Sequence, residues 1–227
     1  MPGLIDQSGG NDRPKSGSPE KASRTWEASM LDRLDRLRQD LLQKDPHNIA
    51  TFCDATFEQN QIYLSYWGER ISIQWPDLEI SNSQRESVST FDMAMIIYYL
   101  HTADGTPMAD RWIGFRELPN GAFYNQAFQG YSGNRLAKAF GQNPAKFNEA
   151  AQALDGWKIP ALADYAYAFQ PLPRIRLAAT LWPGDEDFPA KASILFDASA
   201  GHYMVTDGLA LLGSGLTGRM IKKLRSS

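Results

Sequence analysis

The chain has 227 residues, 43% of them hydrophobic and 22% charged, with a formal net charge of −3. Once a polar N-terminus is set aside, that length favours one large domain over two small ones, and the composition excludes disorder across the body. A charge so close to neutral lacks the clustered positive field that phosphate backbones require, so nucleic acid is not an expected partner.

Cys53 is the single cysteine, which rules out an internal disulfide and a four-cysteine zinc or iron–sulfur site made by this chain alone. That usage fits a reducing compartment, and the expected location is cytoplasmic. The first twenty residues lack the apolar stretch of a secretory signal. The longest apolar run, Met93 to Leu100, is far short of the ~20 residues that cross a bilayer.

In chain order, residues Met1 to Ala22 read as a disordered tail, and a helix is expected over 23–46. Its apolar stripe is Trp26, Met30, Leu34, Leu37 and Leu41, at spacings of three and four. The globular body then occupies 47–227, beginning with a short helix from His47 to Asp54. Period-two alternation in Ile62, Leu64, Tyr66 and again in Ile71, Ile73, Trp75 predicts an antiparallel hairpin turning at Trp67-Gly68-Glu69. Ser89 and Asp92 have the spacing of a helix cap before Thr90 to His101, a segment apolar nearly all round and therefore central.

A short strand at Trp112 to Phe115 leads to Arg116-Glu117-Leu118-Pro119, followed by helices at Ala122 to Phe128, Asn134 to Phe140 and Pro144 to Leu154. Strands return at Tyr165 to Phe169, Ile175 to Leu181 and Ala192 to Phe196. A C-terminal helix from Thr206 to Leu224 closes the chain, weakened by Gly213, Gly215 and Gly218. The sum is an α+β fold, an antiparallel or mixed sheet packed with several helices in a single domain.

Three strings are distinctive together: YYLHTADGTP from Tyr98, WIGFRELPNGAFYNQAF from Trp112, and PLPRIRLAATLWPGDEDFPAKASILFDASAGHYM from Pro171. They resemble a bacterial and archaeal family, domain-of-unknown-function family 3786, with the likeness running from about Asn48 to Lys222. Some relatives carry a further cysteine-rich iron–sulfur segment. With Cys53 alone, this chain has no redox centre that the resemblance would supply.

Several residues carry chemistry worth placing. Asp197 ends an apolar strand and His202 follows a small-residue loop, the pattern of a carboxylate orienting a general base, although Asp197 serving its own turn is the larger share. Arg116 and Glu117 sit at a sharp bend, where the arginine binds an anion or pairs structurally. Arg174 and Arg176 share a strand face at period two, for an anion or for acidic partners. Phe123 and Tyr124 belong to an aromatic cluster that lines either a pocket or the core. His47, His101 and His202 lack metal-ligand spacing.

The leading reading is a ligand-binding or accessory domain, with aromatics around a pocket and Arg116 at its edge. The rivals are a small-molecule hydrolase or lyase using Asp197 and His202, and a protein-interaction module docking through the N-terminal helix. A small molecule or a protein is the expected partner, and the cofactor is left open.

Overall fold

The computed structural model describes residues 31–226. The tail at Met1 to Ala22 and the first part of the expected N-terminal helix, with Trp26 and Met30, lie outside the described residues. Helix α1 (Leu34–Leu41) buries Leu34 and Leu41, so the described part of that helix is built into the body. Helix α2 (Pro46–Phe52) starts at Asp45, whose carboxylate accepts from the amides of His47 and Asn48, with proline at the first helical position.

The first sheet is an antiparallel meander of β1 (Thr56–Glu58), β2 (Gln61–Tyr66), β3 (Glu69–Gln74) and β4 (Ile80–Ser81). The β2–β3 turn is Trp67-Gly68, both at positive φ, and it closes on the pair Tyr66 and Glu69. That is the two-residue turn whose twist matches a hairpin. Trp75 lies beyond β3, and the short strands β1 and β4 add edges that the sequence pattern does not reveal.

Helix α3 (Thr90–Thr102) is the central element: every residue from Ala94 to Leu100 is buried. Ser89 Oγ accepts from the Asp92 amide at 3.1 Å and donates to the Asp92 carboxylate at 2.7 Å, as the capping spacing predicts.

The second sheet runs in the order β5 (Trp112–Gly114), β9 (Lys191–Asp197), β8 (Ile175–Trp182), β7 (Tyr165–Leu172), β6 (Trp157–Lys158), all antiparallel. Helices α4 (Gly121–Tyr131), α5 (Gly133–Phe140) and α6 (Pro144–Gln152) pack along it, and α7 (Thr206–Ser226) packs on those helices. Phe115 stacks on Phe128 with ring centroids 4.1 Å apart, and Phe196 from β9 lies 5.8 Å from Phe128. This trio joins sheet to helices.

The fold is α+β as expected, with two antiparallel sheets in place of one. Two local expectations are corrected. Phe115 is not in the strand but opens a 3-10 turn over Phe115–Glu117. Helix α7 runs unbroken through Gly213, Gly215 and Gly218. At Gly213 the missing side chain has a use: a Cβ there would lie 2.8 Å from the Phe128 ring, so glycine admits that ring against the helix.

Candidate functional site

Strand β9 delivers Asp197 to the sheet's end as predicted, but buried. Its Oδ1 accepts from the amides of Ala109 at 3.0 Å and Ser199 at 2.9 Å, and from Ser199 Oγ at 2.6 Å. Burial pushes the carboxyl upward, yet the hydrogen bonds from Ser199, Ala109 and Asp110 outweigh it and hold the group below the usual range. Asp197 thus fastens the segment before β5 to the end of β9. These bonds do not involve His202.

His202 ends the 3-10 turn Ala200–His202 and finds a different carboxylate: its Nδ1 lies 2.7 Å from Asp104 Oδ2 and 3.2 Å from Thr106 Oγ1. The Thr106 amide also donates to Asp104 Oδ1 at 2.9 Å, and the Tyr203 hydroxyl donates to the Thr106 carbonyl. Hydrogen bonds from His202 and Thr106 pull the Asp104 carboxyl down to about 2. The sequence pointed to an oriented histidine but assigned the wrong partner, because Asp104 reads in isolation as an ordinary Asp-Gly turn residue.

Arg116 is exposed on its 3-10 turn, while Glu117 bends back to accept from the Gly114 amide at 2.7 Å. The two form no ion pair with each other. Arg174 is in the turn between β7 and β8 and not on a strand; its Nε lies 3.5 Å from Asp54. Arg176, on β8, pairs with Asp110 at 2.7 Å. Both arginines therefore have acidic partners, the structural alternative that the sequence left open.

The aromatic pair is at a concavity. Phe123 and Tyr124 stand in the first turn of α4, and with Pro119, Met204, Val205 and Asp207 they line a cleft of about 500 Å³ facing the start of α7. Two features fix its walls. Thr206 Oγ1 donates to the Pro119 carbonyl at 2.6 Å, tying the α7 start to the loop before α4. Asn120 takes a left-handed conformation, and at Gly121 any Cβ would collide with the Phe115 carbonyl, so this sharp entry into α4 needs glycine. Phe123 is 84% exposed and Tyr124 46%, so neither belongs to the core. Arg116 does not line the cleft; Arg33 does.

His101 faces Asp40 at 3.7 Å, and burial, aided by Lys44, lowers its basicity. At this helix end Lys44 Nζ donates to the His101 carbonyl at 2.9 Å. Burial raises the Cys53 thiol well above its ordinary range, which makes it inert as a nucleophile. Among the described residues no group of three or more His, Cys, Asp or Glu is gathered for a metal. Arg33 and Asp104 are the site residues that sequence reasoning missed. Neither sits in a local pattern that marks it, since each acquires its neighbours only on folding.

Comparison with curated proteins and with solved structures gave no match. A family model, the domain of unknown function DUF3786, matches residues 45–219. That span covers the body from α2 into α7, including both sheets, the Asp104–His202 pair and the aromatic cleft apart from Arg33, and the chain belongs to this family.

Proposed function

We propose that the chain is a cytoplasmic ligand-binding domain whose site is the cleft between the start of α4 and the start of α7. One observation carries the reading: Phe123 stands 84% exposed at a cleft of about 500 Å³. Leaving a phenylalanine in water forgoes about 2 kcal/mol of burial, which a ligand covering it would recover. The dimensions suit a small organic molecule, and Tyr124 and Val205 give it an apolar bed. Arg33 and Asp207 place one charge of each sign on the lining, so polar substituents of either sign find a partner.

The neutral fluorophore N-phenyl-1-naphthylamine tests the cleft. Its emission is expected to rise on binding the wild-type protein, and Phe123→Asp is expected to weaken that binding at least tenfold. The substitution lies on an exposed side chain, so it leaves the core alone. Equal affinity for both proteins would remove the cleft as the site.

A second reading, a hydrolase or lyase, draws on the Asp104–His202 geometry. With Nδ1 held by the carboxylate, Nε2 is the ring nitrogen placed to exchange a proton with a substrate. Turnover of ester or lactone substrates by the wild type and its abolition in His202→Asn would support it. Activity equal in both proteins would sink it.

A further inference from the structure

The larger concavity, about 610 Å³, lies elsewhere, between the first sheet and the β7–β8 turn. Its lining includes Tyr63 and Ser65 of β2, Arg70 of β3, and Leu172 and Pro173 beside the turn. Three features of this groove point to one ligand chemistry.

The first is a prepositioned cation. The Arg70 guanidinium lies over the Tyr63 ring, 4.5 Å from its centroid. Stacking restricts the side chain while leaving its donors free to engage a carboxylate in a two-pronged way. Among the described residues no carboxylate lies within 4.0 Å of Arg70. The one acid on the lining, Asp54, is answered by Arg174 at 3.5 Å.

The second is a gap in the sheet edge. Strand β1 stops at Thr56, opposite Tyr63, so it does not reach Leu64 to Tyr66. The closing pair of a two-residue hairpin, here Tyr66 and Glu69, exchanges its hydrogen bonds across the turn. By alternation the amide and carbonyl of Ser65 then point away from β3, toward the missing strand. Beyond the gap the neighbouring hairpin takes over, for the Trp67 amide donates to the Pro171 carbonyl at 2.9 Å. Ser65 thus presents one donor and one acceptor on the stretch of the β2 edge that β1 does not reach, on the lining of the groove.

The third is an apolar wall, since Pro173 and Ala55, both partly exposed, lie on the same lining as Arg70 and Ser65. A ligand that uses all three carries a carboxylate for Arg70, a secondary amide for the Ser65 edge and an apolar side chain for the wall. We infer that this groove binds an N-acylated apolar amino acid, or the same chemistry as the C-terminal residue of a peptide. It is a site separate from the cleft at Phe123, and it rests on none of the cleft's residues.

Calorimetric titration of the full chain with N-acetylphenylalanine tests it, beside N-acetylphenylalaninamide, which lacks the carboxylate. The acid is expected to bind the wild type at least tenfold more tightly than the amide, and Arg70→Gln is expected to erase that preference. Arg70 is exposed, and an unchanged melting temperature of the variant confirms that its fold is intact. Phe123→Asp is expected to bind the acid as the wild type does, which keeps this result independent of the cleft. A Leu-Phe dipeptide with an acetylated N-terminus separates the sources: binding tighter than the single residue favours a peptide end, and weaker binding favours a free acylated amino acid. No binding of either acid, or equal binding by the wild type and Arg70→Gln, would overturn the inference.

Discussion

Tyr99 and Arg174, 75 residues apart, meet through one hydrogen bond: the Arg174 amide donates to the Tyr99 hydroxyl at 3.0 Å. That hydroxyl donates onward to the Cys53 carbonyl at 2.7 Å, so the central helix holds both the β7–β8 turn and the end of α2. Tyr99 is fully buried. In Tyr99→Phe the Cys53 carbonyl and the Arg174 amide both lose this partner, and a stability loss of about 1–3 kcal/mol is expected in urea denaturation. A loss within ~0.5 kcal/mol, the range of ordinary surface substitutions, would show that the relay is dispensable.

The Asp104–His202 pair gives a pH dependence with a definite sign. The Asp104 carboxyl is pulled down to about 2 in the folded protein, below its ordinary value of roughly 3.9. Its contribution is therefore fully present above about pH 4 and is lost as the pH falls toward 2. Both side chains are half exposed, so the effect is that of a surface pair, at most about 1 kcal/mol. Asp104→Asn is expected to be less stable than the wild type at pH 7, and the gap is expected to close in denaturation curves measured from pH 4 downward. A gap that stayed constant to pH 2 would assign the loss to something other than ionisation.

Three glycines of α7 separate packing from propensity. A Cβ at Gly213 would press on the Phe128 ring at 2.8 Å, whereas at Gly215 and Gly218 nothing lies within 4 Å. Gly215→Ala and Gly218→Ala are each expected to stabilise the protein by about 0.5–1 kcal/mol through helix propensity. Gly213→Ala is expected to destabilise it, because Phe128 is locked between Phe115 and Phe196. Thermal melts of the three variants check the ordering.

These glycines also mark where sequence reasoning fails. Propensity alone argued against one continuous C-terminal helix, but α7 buries Leu209, Leu212, Leu216 and Met220, and that packing overrides three poor helix formers. Helix α3 was legible because its apolar residues surround it, which leaves only a central position. Strands β1, β4 and β6 were not, since two or three residues are too few to show alternation.

The candidate cleft was legible in its aromatic residues. Phe123 and Tyr124 are adjacent in sequence, so one segment carries the signal. The Asp104–His202 pair, which is not on the cleft lining, was only half legible: His202 was noticed, but Asp104 lies 98 residues away, and only the folded chain brings them within 2.7 Å. Arg116 was chosen for its place at a bend, but it stands on a 3-10 turn and is not among the residues of the cleft lining.

Native mass spectrometry of the protein purified from its own host, beside the Phe123→Asp variant prepared in the same way, tests the binding account most directly. The account predicts a small organic molecule retained by the wild type and absent from the variant. Wild-type protein that carries no ligand, or a ligand held equally by both, would contradict it.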